Sequence, residues 1–251
     1  MGLQGRTAIV TGGAMGLGKA FAMRLASDGA NIVIADLRNA EVAAAEIRSS
    51  GSQALGVTVD ISSEADVSRL AEAALAAFGR IDILVNNAAY FATTKEGRFE
   101  DIGLAEWRRM FEVNVLGTVL CCRAAVPHMR KQGGGRIIVI SSGSAIKGAA
   151  GFIHYATSKA GLIGFTRSLA RELGKDGITV NAIAPGLTLS EGVVARGVTS
   201  EEQMASQRAS RAIQRDEQPQ DLVGALSFLA GDDSAFMTGQ TLVVDGGSAM
   251  V

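Results

Sequence analysis

Residues 6–36 read RTAIVTGGAMGLGKAFAMRLASDGANIVIAD, and their order decides the fold. Arg6–Val10 is a short apolar, β-branched run of the kind a buried strand takes, and it stops in the glycine-rich turn TGGAMGLG. An amphipathic stretch from Leu17 to Ser27 follows until Gly29 ends it. A second apolar run, Asn31–Ala35, closes at Asp36, 20 residues beyond Gly16. Strand, glycine turn, helix, strand and acid in that order make a dinucleotide-binding βαβ unit. Glycines let the backbone approach a pyrophosphate, the helix N-terminus attracts it, and the acid accepts hydrogen bonds from ribose hydroxyls.

The alternation continues to the end of the chain. Glu41–Ser49 reads as helix, Ala54–Val59 as strand, and Ser63–Phe78 as helix, with Ser63 and Asp66 at the spacing of a capping box. Ile81–Val85 is a strand that runs into Asn86-Asn87-Ala88-Ala89. Helical patterns cover Leu104–Met129, with a kink expected at Pro127, and Arg136–Ile140 has the continuous apolar character of a buried parallel strand. A helix around Tyr155, a strand Thr179–Ala184, a helix Asp221–Leu229 after Pro219 and a strand Thr241–Val244 complete the pattern. This predicts an α/β fold: a Rossmann-like, doubly wound sheet of about seven parallel strands with helices on both faces, forming a single domain over residues 1–251. In such a sheet ligands sit beyond the carboxyl ends of the strands. Asp36, Asp60, the Asn86–Ala89 run, Ser141 and Ser142, and Pro185-Gly186 all fall there.

Within GFIHYATSKAGLIGF, residues 151–165, Tyr155 and Lys159 stand one helical turn apart. A phenol and an ammonium on one face let the positive charge favour the phenolate, an effect typically worth about 1–3 pKa units. Ser142 precedes Tyr155 by 13 residues. His154 and His128 have no partner legible in the sequence and read as structural.

Composition narrows the function. Of 251 residues 47% are hydrophobic and 20% charged, and the net charge of −1 leaves no electrostatic footprint for nucleic acid or an anionic membrane. Cys121 and Cys122 are adjacent in a helical pattern, so they can form neither an ordinary intrachain disulfide nor a metal cluster, and read as buried free thiols. No metal site is expected. The N-terminal MGLQGRTAIV has no signal-peptide pattern, Arg6 breaks a myristoylation motif, and no stretch reaches the ~18 uninterrupted apolar residues of a membrane span; a cytoplasmic location is expected.

Taken jointly, these motifs resemble those of the classical short-chain dehydrogenase/reductase family over nearly the whole chain. Its TGxxxGxG turn matches Thr11, Gly12, Gly16 and Gly18. Its NNAG run matches Asn86, Asn87 and Ala88, with Ala89 where the family usually has glycine. Its catalytic Asn, Ser, Tyr and Lys match Asn114, Ser142, Tyr155 and Lys159, and its PG turn matches Pro185 and Gly186.

The resemblance implies hydride transfer between a secondary alcohol or its ketone and a nicotinamide cofactor. Tyr155 would be general base or acid, and Lys159 would hold the nicotinamide ribose and depress the phenol pKa. Ser142 would polarise the substrate oxygen, while Asn114 would support a water relay. The cofactor would lie on Gly12, Met15, Gly16, Leu17, Gly18, Asp36, Leu37, Asp60, Ile61, Asn87, Ala88, Ala89, Tyr155, Lys159, Pro185, Gly186 and Thr188. Either Thr188 or Ser190 would meet the nicotinamide carboxamide.

Asp36 would repel a 2′-phosphate and neither Met15 nor Leu37 is basic, which favours NAD over NADP; Arg38 is the one basic side chain placed to swing over the adenosine ribose. Residues Leu187–Arg215 mix Val193, Val194, Val198 and Met204 with Glu191, Arg196, Glu201, Glu202 and Arg208, and read as a helical substrate lid. Ser144, Phe91 and Leu187 are expected as pocket walls for a small or aromatic secondary alcohol or ketone. By the same resemblance the protein is a homotetramer, joined by helices around Asn114 and Tyr155, with the VDGGSAMV end reaching towards a neighbouring site. A 3-ketoacyl (acyl carrier protein) reductase and a non-catalytic dinucleotide-binding regulator are the alternatives.

Overall fold

The computed structural model describes residues 2–91, 94, 96–195 and 201–250; Arg196 and Val198, assigned to the lid from sequence, lie outside the described residues, as does the Val194 side chain. Seven strands form one sheet: β1 Thr7–Thr11, β2 Asn31–Asp36, β3 Ala54–Thr58, β4 Ile83–Asn86, β5 Gly135–Ile140, β6 Ile178–Pro185 and β7 Thr241–Val244. Their order is β3-β2-β1-β4-β5-β6-β7, and every adjacent pair is parallel. The chain starts in the middle, winds out to β3, returns to β4 beside β1 and then winds the other way. The order therefore reverses between β1 and β4, which opens a crevice at their carboxyl ends.

The helices are α1 Gly16–Ser27, α2 Ala40–Ser49, α3 Glu64–Phe78, α4 Leu104–Phe111, α5 Gly117–Gln132, α6 Ser144–Lys147, α7 Ile153–Leu173, α8 Glu191–Ala195, α9 Glu201–Ala209 and α10 Gln220–Ala230. Side chains alternate across each strand, yet both faces are buried. Ile9, Val33, Leu84, Ile137 and Val180 pack with α3, α5 and α7; Val10, Ile32, Val85, Ile138 and Ile183 pack with α1, α2 and α10. Two covered faces explain why these strands read as unbroken apolar runs. Two glycines in the first turn cost α1 roughly 0.5–1 kcal/mol each. Complete burial of Phe21 and Leu25, about 1.5–3 kcal/mol apiece, outweighs that cost.

Four local expectations are corrected. The strand expected from Ile81 starts at Ile83: the Gln132 side chain takes Ile81 N and O (both 3.0 Å) in place of a neighbouring strand, while Asp82 N donates to Thr7 O at 2.9 Å and Asp82 Oδ2 accepts from Thr7 N at 2.8 Å. The capping box at α3 is half made. Ser63 Oγ accepts from Asp66 N at 3.3 Å, but Asp66 Oδ2 accepts from Asp60 N instead of Ser63 N. Between α4 and α5 the chain makes a π-helical turn, Glu112–Leu116, and α5 then carries Pro127 in its interior as far as Gln132. His154 does have neighbours: its fully buried ring lies 5.9 Å from Trp107, and its Nε2 is 3.9 Å from Glu106 Oε1.

Cys121 and Cys122 are buried free thiols as expected, and burial pushes Cys121 up to about 12. The run Leu104–Gln132 meets the length and composition of a membrane span, but half of that window is buried inside the fold, as in a core helix.

Candidate active site

A single cavity of about 840 Å³ runs along the carboxyl ends of the strands, from Asp36 to Gln207. At its floor, β1 gives way to the glycine turn. Gly12 and Gly16 have φ of +62° and +55°, where glycine alone is unstrained, and a Cβ on Gly18 would lie 2.0 Å from Gly12 O. The turn is braced from the β4 end. Asn87 Nδ2 donates to the carbonyls of Thr11 and Gly12, both at 3.0 Å, while Thr11 Oγ1 accepts from the N–H groups of Asn87 and Ala88. The Asn87 side chain therefore holds the turn, and Asn87 lines the cavity beside it. Helix α1 opens here with no side-chain cap and no acidic residue in its first turn. Its free N–H groups and dipole fit a pyrophosphate, with bare backbone where a Cβ would intrude.

Asp36, at the end of β2, accepts from Ala14 N (3.1 Å) and Arg38 N (3.3 Å), and lines the cavity beside Met15 and Leu37. Asp60 follows β3. Burial pushes its carboxyl up, but Ser62 (N 2.9 Å, Oγ 2.6 Å) and Arg109 outweigh this and hold it below the usual carboxylate range. Ile61 lies against Gly117, where a Cβ would meet its side chain at 2.7 Å. Gly16, Leu17, Gly18, Ala88 and Ala89 complete this half of the lining.

Helix α7 brings Tyr155 and Lys159 to the other half. Lys159 Nζ donates to Ile140 O at 2.7 Å and lies 5.8 Å from the Tyr155 ring centroid. Its burial removes water from the ammonium and pulls its pKa from 10.5 to about 8. Ser141 Oγ, donating to Lys159 O at 2.8 Å, ties α7 to β5. Ser142, just after β5, has its Oγ 2.9 Å from Ser144 Oγ and accepts from Ser144 N at 3.2 Å. Ser142, Ser144, Tyr155, Lys159, Phe91, Pro185, Gly186 and Leu187 all line the cavity. Phe91 stands 4.5 Å from the Tyr155 ring and 6.2 Å from that of Phe152. Phe152, Tyr90, Val193, Gln203 and Gln207 also line it, although sequence reasoning singled out none of them for the site except Val193 as part of the lid.

Asn114 sits behind the cavity in the π-helical turn. Its Oδ1 accepts from Tyr90 N (2.7 Å) and its Nδ2 donates to Ser158 Oγ (3.1 Å) and Met110 Sδ (3.0 Å). That amide is spent on holding Tyr90 and α7. Thr188 lines the cavity, but its hydroxyl donates to the buried Glu217 at 2.6 Å; Ser190 also lines the cavity, and its Cβ would be 3.3 Å from a Cβ on Gly16. Among the described residues no group of three or more His, Cys, Asp or Glu could hold a metal.

Residues 12–249 match a family model described as Enoyl-(Acyl carrier protein) reductase. The chain is 40% identical to the (2S)-[(R)-hydroxy(phenyl)methyl]succinyl-CoA dehydrogenase subunit BbsD of Thauera aromatica, covering 100% of this chain and 99% of that protein. Among solved structures it resembles a 3-ketoacyl-(acyl-carrier-protein) reductase of Brucella melitensis complexed with NADH. That match has a TM-score of 0.90 and 35% identity, and covers 99% of this chain and 100% of the other. It also resembles a Beutenbergia cavernae protein described as an NAD(P) dependent gluconate 5-dehydrogenase, with NADP bound at low occupancy. There the TM-score is 0.91, with 35% identity and 98% of each chain covered.

Proposed function

This chain belongs to the short-chain dehydrogenase/reductase family of oxidoreductases, and on that premise we propose that it interconverts a secondary alcohol and its ketone with NAD. The observation that carries the reading is the meeting of Ser142, Tyr155 and Lys159 in one cavity whose far end holds Asp36 and the uncapped start of α1. The glycine turn and α1 would hold the pyrophosphate, Asp36 the adenosine ribose, and Lys159 the nicotinamide ribose. Ser190, whose hydroxyl is not committed to Glu217, takes the carboxamide contact in preference to Thr188. When bound, the cofactor supplies the hydride acceptor or donor.

The chain's own part is proton transfer. Tyr155 takes the hydroxyl proton during oxidation and returns it during reduction, which requires the substrate oxygen within hydrogen-bond reach of the phenol. Lys159, while charged, favours the phenolate. Ser142 can donate its own hydroxyl hydrogen to the substrate oxygen because its Oγ accepts from the Ser144 hydroxyl. Asn114 is a positioning residue, through Tyr90 and Ser158.

NAD is supported by the Asp36 carboxylate in the cavity and by the non-basic Met15 and Leu37 around it. The aromatic wall of Phe91, Phe152 and Tyr155 supports a substrate whose carbinol carbon bears an aromatic or other apolar group. The phenyl carbinol in the name of the Thauera relative fits it. Helices α8 and α9 would cover that substrate as a lid. The exposed Leu104, Leu116 and Ile153 support a homotetramer built on α4, α5 and α7.

A second reading, 3-ketoacyl (acyl carrier protein) reductase, is favoured by the Brucella relative. Because that relative is described with NADH, Asp36 does not separate the two readings. Following the reduced cofactor's absorbance with a panel of aryl and alkyl carbinols and ketones, against 3-ketoacyl thioesters, does so. Turnover of the free carbinols supports the first reading, turnover of thioesters alone the second, and no turnover with any of them contradicts both.

A further inference from the structure

Behind the Pro185–Gly186 wall lies a charged group that proton transfer does not use. Glu217 is 5% exposed. Its backbone O accepts from Leu189 N at 2.8 Å and its Oε1 accepts from Thr188 Oγ1 at 2.6 Å, while Oε2 is buried without a hydrogen-bond partner. A Cβ on Gly186 would lie 2.6 Å from that oxygen. The carboxylate thus presses on the back of a residue that lines the cavity shared by Tyr155 and Lys159. The charges that act on it are Arg211, Asp245 and, from the surface, Arg215.

Arg211 and Asp245 are themselves buried, and both are largely engaged with backbone. Arg211 donates to the carbonyls of Leu187 (2.9 Å) and Arg215 (2.6 Å), and Asp245 accepts from the N–H groups of Gly247, Ser248 and Ala249. Glu217 and Asp245 against the one buried guanidinium, Arg211, leave the buried charges one net negative when all are ionised, while Arg215 lies at the surface and is paired with Asp221. Burial and the neighbouring Asp245 raise the Glu217 pKa, and the Thr188 hydroxyl and Arg211 draw it only part of the way back. A buried carboxylate oxygen without a partner is costly, and such groups concentrate at functional sites.

We propose that Glu217 is a positioning residue whose buried negative charge, behind Gly186, biases the nicotinamide pocket towards the oxidised, positively charged cofactor. The inference rests on the reading that a nicotinamide dinucleotide fills this cavity. The oxidised ring carries a positive charge and the reduced ring carries none, so a fixed charge behind the wall acts on one and not on the other. Tighter NAD⁺ at unchanged NADH affinity favours loading in the direction of alcohol oxidation. A brace that merely held Thr188 and Leu189 in place would affect both forms alike.

The test is equilibrium binding without substrate: NADH titrated by its fluorescence and NAD⁺ by competition, on the wild type, Glu217→Gln and Arg211→Gln. The glutamine at 217 keeps an acceptor for Thr188 and removes the charge. The Kd of NAD⁺ relative to that of NADH is expected to rise roughly three- to tenfold in Glu217→Gln, and to fall in Arg211→Gln, where a compensating positive charge is lost. Equal changes in both constants, or an unchanged ratio, overturn the inference. If Glu217→Gln does not fold, the sign of the change in Arg211→Gln decides, and no change there overturns it. A wild type that binds neither form overturns the cofactor reading instead.

Discussion

Replacing Lys159 by methionine separates what this side chain costs the fold from what it gives the reaction. Its pKa falls from 10.5 to about 8 on burial. At about 1.4 kcal/mol per pH unit between those two values, the folded state is penalised by roughly 3 kcal/mol at neutral pH. Methionine removes the penalty but gives up the bond to Ile140 O, worth about 1.5–3 kcal/mol from a charged donor. The two nearly cancel, so Lys159→Met should lie within about 2 kcal/mol of the wild type at pH ~7, although a buried cation has been deleted.

The pH dependence is sharper. Between about pH 8 and 10.5 the unfolded chain still holds a proton that the folded Lys159 has released, so stability from this group rises with pH by about 1.4 kcal/mol per unit. The wild type should therefore gain roughly 3 kcal/mol on the variant between pH ~7 and ~10. Urea unfolding of the cofactor-free proteins, followed by Trp107 fluorescence at both pH values, measures this. A difference between the two proteins that stays constant with pH would refute the burial argument.

Three further variants test the cofactor half. Asp36→Ala with Leu37→Arg removes the carboxylate and adds a cation, and should move the ratio of kcat/KM for NADP over NAD upward by at least tenfold; an unchanged ratio would show that Asp36 is not at the ribose. Ser190→Ala should raise the Kd for NADH several-fold, about what a lost hydrogen bond of 0.5–1.5 kcal/mol gives. Thr188→Val should mainly lower the melting temperature, since its hydroxyl serves Glu217. The reverse pattern would return the carboxamide contact to Thr188.

The parts legible in the sequence are those whose logic is local. The glycine turn, α1 and Asp36 fall within residues 6–36, and a one-turn spacing is enough to pair Tyr155 with Lys159. What escaped depends on chain segments that meet only in the fold. The bracing of the turn by Thr11 and Asn87 spans about seventy-five residues. Glu217 looks like one more surface charge after a lid until its bridge to Thr188 shows it to be buried. The partners of His154 come from α4, almost fifty residues earlier. Lys159 is the instructive middle case. Its position was evident, but its depressed pKa follows from burial between α7 and the end of β5, which spacing does not report.

The central claim is that Tyr155 moves the proton. Tyr155→Phe keeps the ring against Phe91 and removes only the hydroxyl. Its kcat for alcohol oxidation should fall by about 10²-fold or more, in the range of a lost general base, with the Kd for NADH within about twofold of the wild type. A variant that binds NADH normally and still turns over within tenfold of the wild-type rate would contradict the mechanism.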